Sequence, residues 1–341
     1  MQMSKEMLSK IDYKQNRLLI DWFSFSSRID NFESFVDLLG MSSCNWEVKS
    51  GVCGYQYRYY FEGISIHTAG DYSFRFVGTN RQEQIKGAWL EMSGSGCRAF
   101  ETYGNGNWQK LINYFVSNFE NVTANRIDIA YDDFLGYLDI VKIAEDTEKH
   151  NFISKFRSNP EIIKSIGVDE TAITVTHGRM SSDTFIRIYD KRLEQNAQDF
   201  TNHWIRNEIM LRHDRAFVAI SLLSDDKKPL SEVYFLIMNN YLRYITPSDT
   251  DSNQWRAPMA AHWQKFAESV TTYRVSLWSR DGVDYNQLRL TNFVEKMAGA
   301  AIFTYVSIFG VDKLIDECNK KSALLAPKYK ILLDSLDSSN D

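Results

Sequence analysis

Apolar positions along this chain switch between two periods. Residues 17–27, RLLIDWFSFSS, predict a first strand, and NFESFVDLLG follows with Phe32, Phe35, Val36 and Leu39 at helical spacing and a closing Gly40. From Tyr55 to Val77 the chain is dense in aromatics and broken at Gly63 and Gly70, which predicts strands. AWLEMSGSGCR reads as a strand entering a glycine turn. NWQKLINYF then restores helical period, with Trp108, Leu111, Ile112 and Phe115 on one face and Asn107 as cap.

The order then repeats. NRIDIAYDDF (Asn125 to Phe134) predicts a strand whose RIDIA echoes the earlier LLIDWF. A helix around Leu138 to Glu148 follows, then TAITVTH and TFIRIYDK as paired strands and HWIRNEIMLR as another. Strand, helix and strands, twice over, predict two related halves sharing one sheet. From Ser231 the spacing turns helical, with TPSDTDSNQ (Thr246 to Gln254) polar enough for a linker. The expected fold is α+β: an antiparallel sheet built from two related halves with helices on one face, plus a helical C-terminal region. Its expected divisions are 1–120, 121–246 and 247–341.

Strand parity sharpens the second half. Strand side chains alternate between faces. In FIRIYDK, Ile186 and Ile188 point one way, and Arg187, Tyr189 and Lys191 the other. In RIDIAYD, Arg126, Asp128, Ala130 and Asp132 share a face, and in WIRNEIMLR so do Arg206, Glu208, Met210 and Arg212. If the strands are neighbours, Asp128, Asp132 and Glu208 converge beside Tyr189, with Arg187, Lys191 and Arg206 around them.

Clustered carboxylates repel one another, and a hard divalent cation is the usual remedy. A metal there polarises a phosphoryl oxygen, a tyrosine beside it serves as nucleophile, and the cations hold phosphate charge. Alternation alone fits a sheet with one wet face equally well.

Composition narrows little. The 341 residues are 44% hydrophobic and 24% charged, which fits a folded protein rather than a disordered one. A net charge of -5 removes a global basic field but leaves room for a local DNA-binding patch. Cys44, Cys53, Cys97 and Cys318 are scattered, so free thiols in a reducing cytoplasm are expected. The polar, charged N-terminus reads as no signal peptide. The longest apolar run, Ala298 to Val311, falls short of the roughly 20 residues that span a bilayer, and predicts a buried helix in a cytoplasmic protein without a membrane partner.

NRIDIAYDDF, HGRMSSDTFIRIYDKRLEQ and HWIRNEIMLRHD, in this order and spacing, resemble the replication initiation factor family. Its members are rolling-circle initiators of plasmids and phages and relaxases of conjugative elements. WLEMSGSGCR matches a further segment of that family, and the resemblance covers residues 15–220. It implies that Tyr189 is the DNA-nicking nucleophile, with Arg187 and Lys191 beside it, and that Asp128, Asp132 and Glu208 hold Mg or Mn. It further implies a 5′-phosphotyrosyl intermediate and a free 3′-hydroxyl on single-stranded or cruciform origin DNA. A host helicase and a second copy of the chain are the further partners considered. The alternatives are a relaxase acting at a transfer origin and a non-catalytic DNA-binding replication protein.

Arg126, Arg206 and Arg212 are candidate DNA contacts. His177 and Arg179 read either as contacts to phosphate or metal or as a solvated hairpin turn. His203 and His213 read as surface or capping residues, and Asp133 as structural. SGSGCR lacks a G-K-[ST] ending, so it reads as a hairpin turn rather than a phosphate loop. The Tyr55 to Phe61 aromatics read mainly as core. Asp21 mirrors Asp128 but is expected to play no metal role. Arg274, Arg280 and Arg289 in the tail are open to origin reading or dimer contacts.

Overall fold

The computed structural model describes residues 5–9, 11–69, 74–76, 83–85, 87–166, 170–225, 228–248, 253–272, 294 and 299–322. Gly70 and the tail arginines Arg274, Arg280 and Arg289 lie outside these. The chain forms two compact units, Met1–Val275 and Ser276–Asp341.

The first unit begins with a short helix, α1 (Lys5–Ser9), and is built on a ten-stranded sheet. Its first half supplies β1 (Arg17–Ser27), β2 (Glu47–Ser50), β3 (Tyr57–Phe61), β4 (Ile64–Thr68) and, after a separate hairpin of β5 (Phe74–Phe76) and β6 (Glu83–Ile85), β7 (Ala88–Met92). The second half supplies β8 (Val122–Asp133), β10 (Glu161–Ile166), β11 (Thr171–Gly178), β12 (Thr184–Asp190) and β13 (Ile205–Arg212). The strand order is β10-β11-β12-β13-β8-β1-β7-β4-β3-β2, with every neighbouring pair antiparallel. From each edge inwards the two halves repeat one order, ending on β8 and β1, which pair at the centre. The repeat legible in the sequence is therefore a repeat of topology. A small pair, β9 (Phe152–Ser154) with β14 (Leu242–Tyr244), lies apart from the main sheet.

Helices bury one face of that sheet. These are α2 (Phe32–Leu39), α3 (Gly94–Tyr103), α4 (Trp108–Ser117), α5 (Ile140–Glu148), α7 (His213–Leu223), α8 (Leu230–Tyr241) and α9 (Ala261–Thr272), while α6 (Lys191–Glu194) is one turn after β12. Phe23, Phe25, Ile127, Ile129, Tyr131, Ile186, Ile188 and Ile209 meet Phe35, Phe115, Ile220, Tyr234 and Phe266 in one continuous core. Ile186 and Ile188 thus anchor the Tyr189 strand. Asn31 caps α2 and Asn107 caps α4, while Gly40 ends α2 at φ 69°.

The structure differs from the sequence reading at four places. SGSGCR is no hairpin turn: Ser93 caps α3, and Gly96 packs so closely on the β3–β4 turn that a Cβ there would stand 2.4 Å from the Gly63 carbonyl. Serine caps the helix and glycine permits the approach. Helix α7 went unread, although Ala216, Ala219, Ile220 and Leu223 are its buried stripe. In the second unit, α10 (Gly299–Phe309) precedes α11 (Val311–Ser322), but α10 is not a buried helix. Phe303 is 75% and Ile308 65% exposed, and among the described residues of that unit α10 packs on the amphipathic α11. The expected boundary at 246 also differs from the unit's extent, since Trp263 and Phe266 of α9 belong to the sheet's core.

Candidate active site

Register brings the three predicted strands together. β13 lies between β12 and β8, so Arg187 faces Glu208, Tyr189 faces Arg206, Glu208 faces Ala130 and Arg206 faces Asp132. Tyr189 is 4% exposed, and its hydroxyl donates to Glu208 Oε2 at 3.4 Å. Arg187 donates through Nη2 to the same hydroxyl at 3.3 Å and to Glu208 Oε2 at 3.3 Å. Arg187 Cζ lies 4.2 Å and Lys191 Nζ 5.4 Å from the centre of the Tyr189 ring. Burial first, then the Glu208 charge, push the Tyr189 phenol well above its ordinary pKa, against the pull of Arg206 and Arg187.

The carboxylates are brought onto one face, but each is already partnered. Asp132 is fully buried and accepts from Arg206 Nε at 2.6 Å, Trp204 Nε1 at 2.7 Å and Arg17 Nε at 2.8 Å. Burial works against its charge, yet Arg206 and Arg17 outweigh that and hold its pKa far below the carboxylate range. Asp128 accepts two bonds from Arg126, at 2.8 and 2.5 Å. Burial, together with Glu208 and Asp21, pushes Asp128 up to about 7 despite Arg126.

Asp21, read as a mirror of Asp128 without a metal role, is a further carboxylate on this face. A bulge in β1 between Ile20 and Trp22 puts two consecutive side chains on the polar face. Trp22 lies under the Arg126 guanidinium at 4.2 Å, and Asp21 accepts from Arg206 Nη1 at 2.7 Å. Burial raises the Asp21 pKa against Arg206.

The remaining candidates separate. Arg206 is 4% exposed and spent on Asp132 and Asp21, so it offers no free contact to DNA. His177 is no turn residue: it faces the core from β11, its Nε2 2.9 Å from the Tyr244 hydroxyl, and burial lowers its pKa to about 3. Arg179 is exposed in the β11–β12 turn, and Arg212 pairs across from Arg126 at the end of β13. Asp133 accepts from Leu138 N at 2.6 Å and meets His203 Nε2 at 3.1 Å, a structural role for both. A cavity of about 390 Å³ is lined by Leu138, Asp139, Asp190, Arg192, His203 and Trp204, and none of the tyrosine's partners lines it.

The two halves differ where it matters. With Glu208 placed on Glu91, Tyr189 falls on His67, Arg206 on Trp89, Arg187 on Ser65 and Asp128 on Trp22. His67 is 2% exposed and stacks on Trp89 at 4.4 Å; burial and Arg58 lower its pKa to about 4. One half carries a phenol between cations, and the other an uncharged aromatic stack. In β3, Tyr59 stacks on Phe32 at 3.9 Å on the core side, whereas Tyr60 lies under Arg58 and Lys49.

Comparison with known proteins agrees with this geometry. Residues 122–305 match the replication initiation factor family, and residues 17–117 match the rolling circle replication initiation protein N-terminal domain. The chain is 28% identical over 237 residues to the putative DNA relaxase NicK of Bacillus subtilis (strain 168). That match covers 63% of this chain and 65% of the relative's length. A solved rolling circle replication initiator protein from Geobacillus stearothermophilus is 28% identical with a TM-score of 0.66, covering 76% of this chain and 98% of that one. With more than half its length matched, this chain belongs to the replication initiation factor family.

Proposed function

We propose that this protein nicks and rejoins one strand of origin DNA, with Tyr189 as nucleophile. The observation that carries this is the Tyr189 hydroxyl held between a carboxylate and a guanidinium on the polar face of the sheet. Glu208 Oε2 accepts the phenolic proton as the tyrosyl oxygen attacks phosphorus. The P–O3′ bond breaks, leaving a 5′-phosphotyrosine and a 3′-hydroxyl that primes synthesis, and the reverse step reseals the strand. Arg187 supplies the phosphate's counter-charge. Its Nε is buried and, among the described residues, has no hydrogen-bond partner, so a donor is available to a phosphate oxygen. Moving the third-exposed Arg187 side chain onto phosphate also uncovers the hydroxyl it now contacts.

The Mg or Mn ion implied by the family resemblance is tested by the donor set. Asp132 is committed to Arg206, Arg17 and Trp204, and Asp128 to Arg126. Among the described residues no group of three or more His, Cys, Asp or Glu side chains is arranged to hold a metal ion. Asp128, Asp132 and Glu208 therefore do not fit a three-carboxylate centre as they stand. An ion at Asp128 would have to displace Arg126, and the steps above use the chain's own residues.

A replication origin and a transfer origin are equally compatible with the comparisons, since the solved initiator and the relaxase are each 28% identical to this chain. The chemistry is common to both. Tyr189→Phe is expected to retain binding to origin DNA and lose nicking of supercoiled origin plasmid. A phenylalanine variant that still nicks would remove the proposal. Among the described residues no helix is long and apolar enough to cross a membrane.

A further inference from the structure

Arg187, on β12, and Lys191, which opens the α6 turn, flank Tyr189 in sequence and place their charges over its ring. They differ in what they do with a proton. Arg187 stays charged: burial opposes the cation, but Glu208 and Tyr189 outweigh it. Lys191 is 9% exposed, and burial followed by Arg206 pushes its ammonium down, against Glu194 and Asp21, which hold the charge. Its position is fixed by the backbone. Lys191 N donates to the Trp204 carbonyl at 2.9 Å, and the Asp190 side chain caps the turn that Lys191 begins. Glu194 pairs with its ammonium.

Nicking requires proton transfer at both ends of the displacement. An in-line reaction puts the entering phenol and the departing sugar oxygen on opposite sides of phosphorus, so one group cannot serve both. Glu208 serves the phenol. The 3′-oxygen leaves as a strongly basic alkoxide unless it is protonated as its bond breaks. A second permanent cation beside Arg187 would add little, whereas a desolvated ammonium has a proton to give.

We propose that Lys191 is the general acid that protonates the leaving 3′-oxygen, an assignment that rests on reading Tyr189 as the nucleophile. The Tyr189 Oη–P bond forms and the P–O3′ bond breaks. The phenolic proton passes to Glu208, and a proton from Lys191 Nζ passes to O3′, leaving a neutral amine. On rejoining, Lys191 takes the proton of the attacking 3′-hydroxyl, and Glu208 returns one to Tyr189. No further reactant is needed.

The test uses single-stranded oligonucleotides spanning the nick mapped with the wild-type protein, with either oxygen or sulfur as the bridging 3′ atom. A thiolate leaves without protonation, since a thiol is far more acidic than an alcohol. Lys191→Met and Lys191→Arg are each expected to cut the oxygen DNA about 10²–10⁴-fold more slowly than wild type. On the sulfur DNA both are expected to approach the wild-type rate, which also shows them folded. Equal slowing on both DNAs, or wild-type cutting of oxygen DNA by Lys191→Arg, which keeps the charge but not the labile proton, overturns the assignment. A wild-type protein that forms no Tyr189 adduct with either DNA overturns the underlying nucleophile reading instead.

Discussion

Arg206 stands across the β12–β13 ladder from Tyr189 and reaches Asp132 at 2.6 Å, so an aspartate expected to bind an ion is committed to a cation beside the proposed nucleophile. Asp132→Asn would leave the buried Arg206 with Asp21 alone as counter-charge and take the carboxylate from half-buried Arg17. The expected cost is about 3–5 kcal/mol in urea unfolding at pH 7. Because Asp132 is held far below its ordinary pKa, its contribution is complete above the carboxylate range and is lost as pH falls through the folded value. The gap between variant and wild type should therefore narrow below about pH 4. A gap independent of pH would remove the ion pair from the account.

Glu208 and Glu91 occupy matching places in the two halves, but only Glu208 has a phenol to serve. Glu208→Gln is expected to slow nicking by about 10²–10⁴-fold while retaining origin binding. Glu91→Gln is expected to leave the nicking rate unchanged. Comparable losses in single-turnover assays would mean that the first half takes part in the chemistry.

His177 is buried against Tyr244 with its pKa lowered to about 3. A histidine depressed in the folded state stabilises the fold above its ordinary pKa near 6.5, and that stability is lost as pH falls. The loss attributable to this group is about 2–3 kcal/mol at pH 4.5. His177→Gln should flatten the decline of thermal midpoint between pH 7 and 4.5. A variant that follows the wild-type slope would show that His177 does not titrate with unfolding.

Alternation carried the sequence reading far, because it needs only neighbouring residues. It placed Tyr189, Arg187 and Lys191 on one face and Ile186 and Ile188 on the other, and the core confirms the isoleucines. It could not supply register. Whether Asp132 faces Glu208 or Arg206 is decided by cross-strand pairing, and repulsion that suggested a metal is met by four arginines, Arg17, Arg126, Arg187 and Arg206. Asp21 reads as a mirror of Asp128, but its place beside Arg206 depends on a bulge, which local sequence does not encode plainly. His177 could have been assigned from its parity with Val175, a core residue.

The central claim is the nucleophile, and its direct measurement is the site of the covalent bond. Wild-type protein incubated with labelled single-stranded origin DNA, trapped, digested with protease and nuclease, and analysed by mass spectrometry should carry a nucleotide on the peptide containing Tyr189. A nucleotide found on any other side chain, or origin DNA cut with no covalent intermediate at all, would contradict the account.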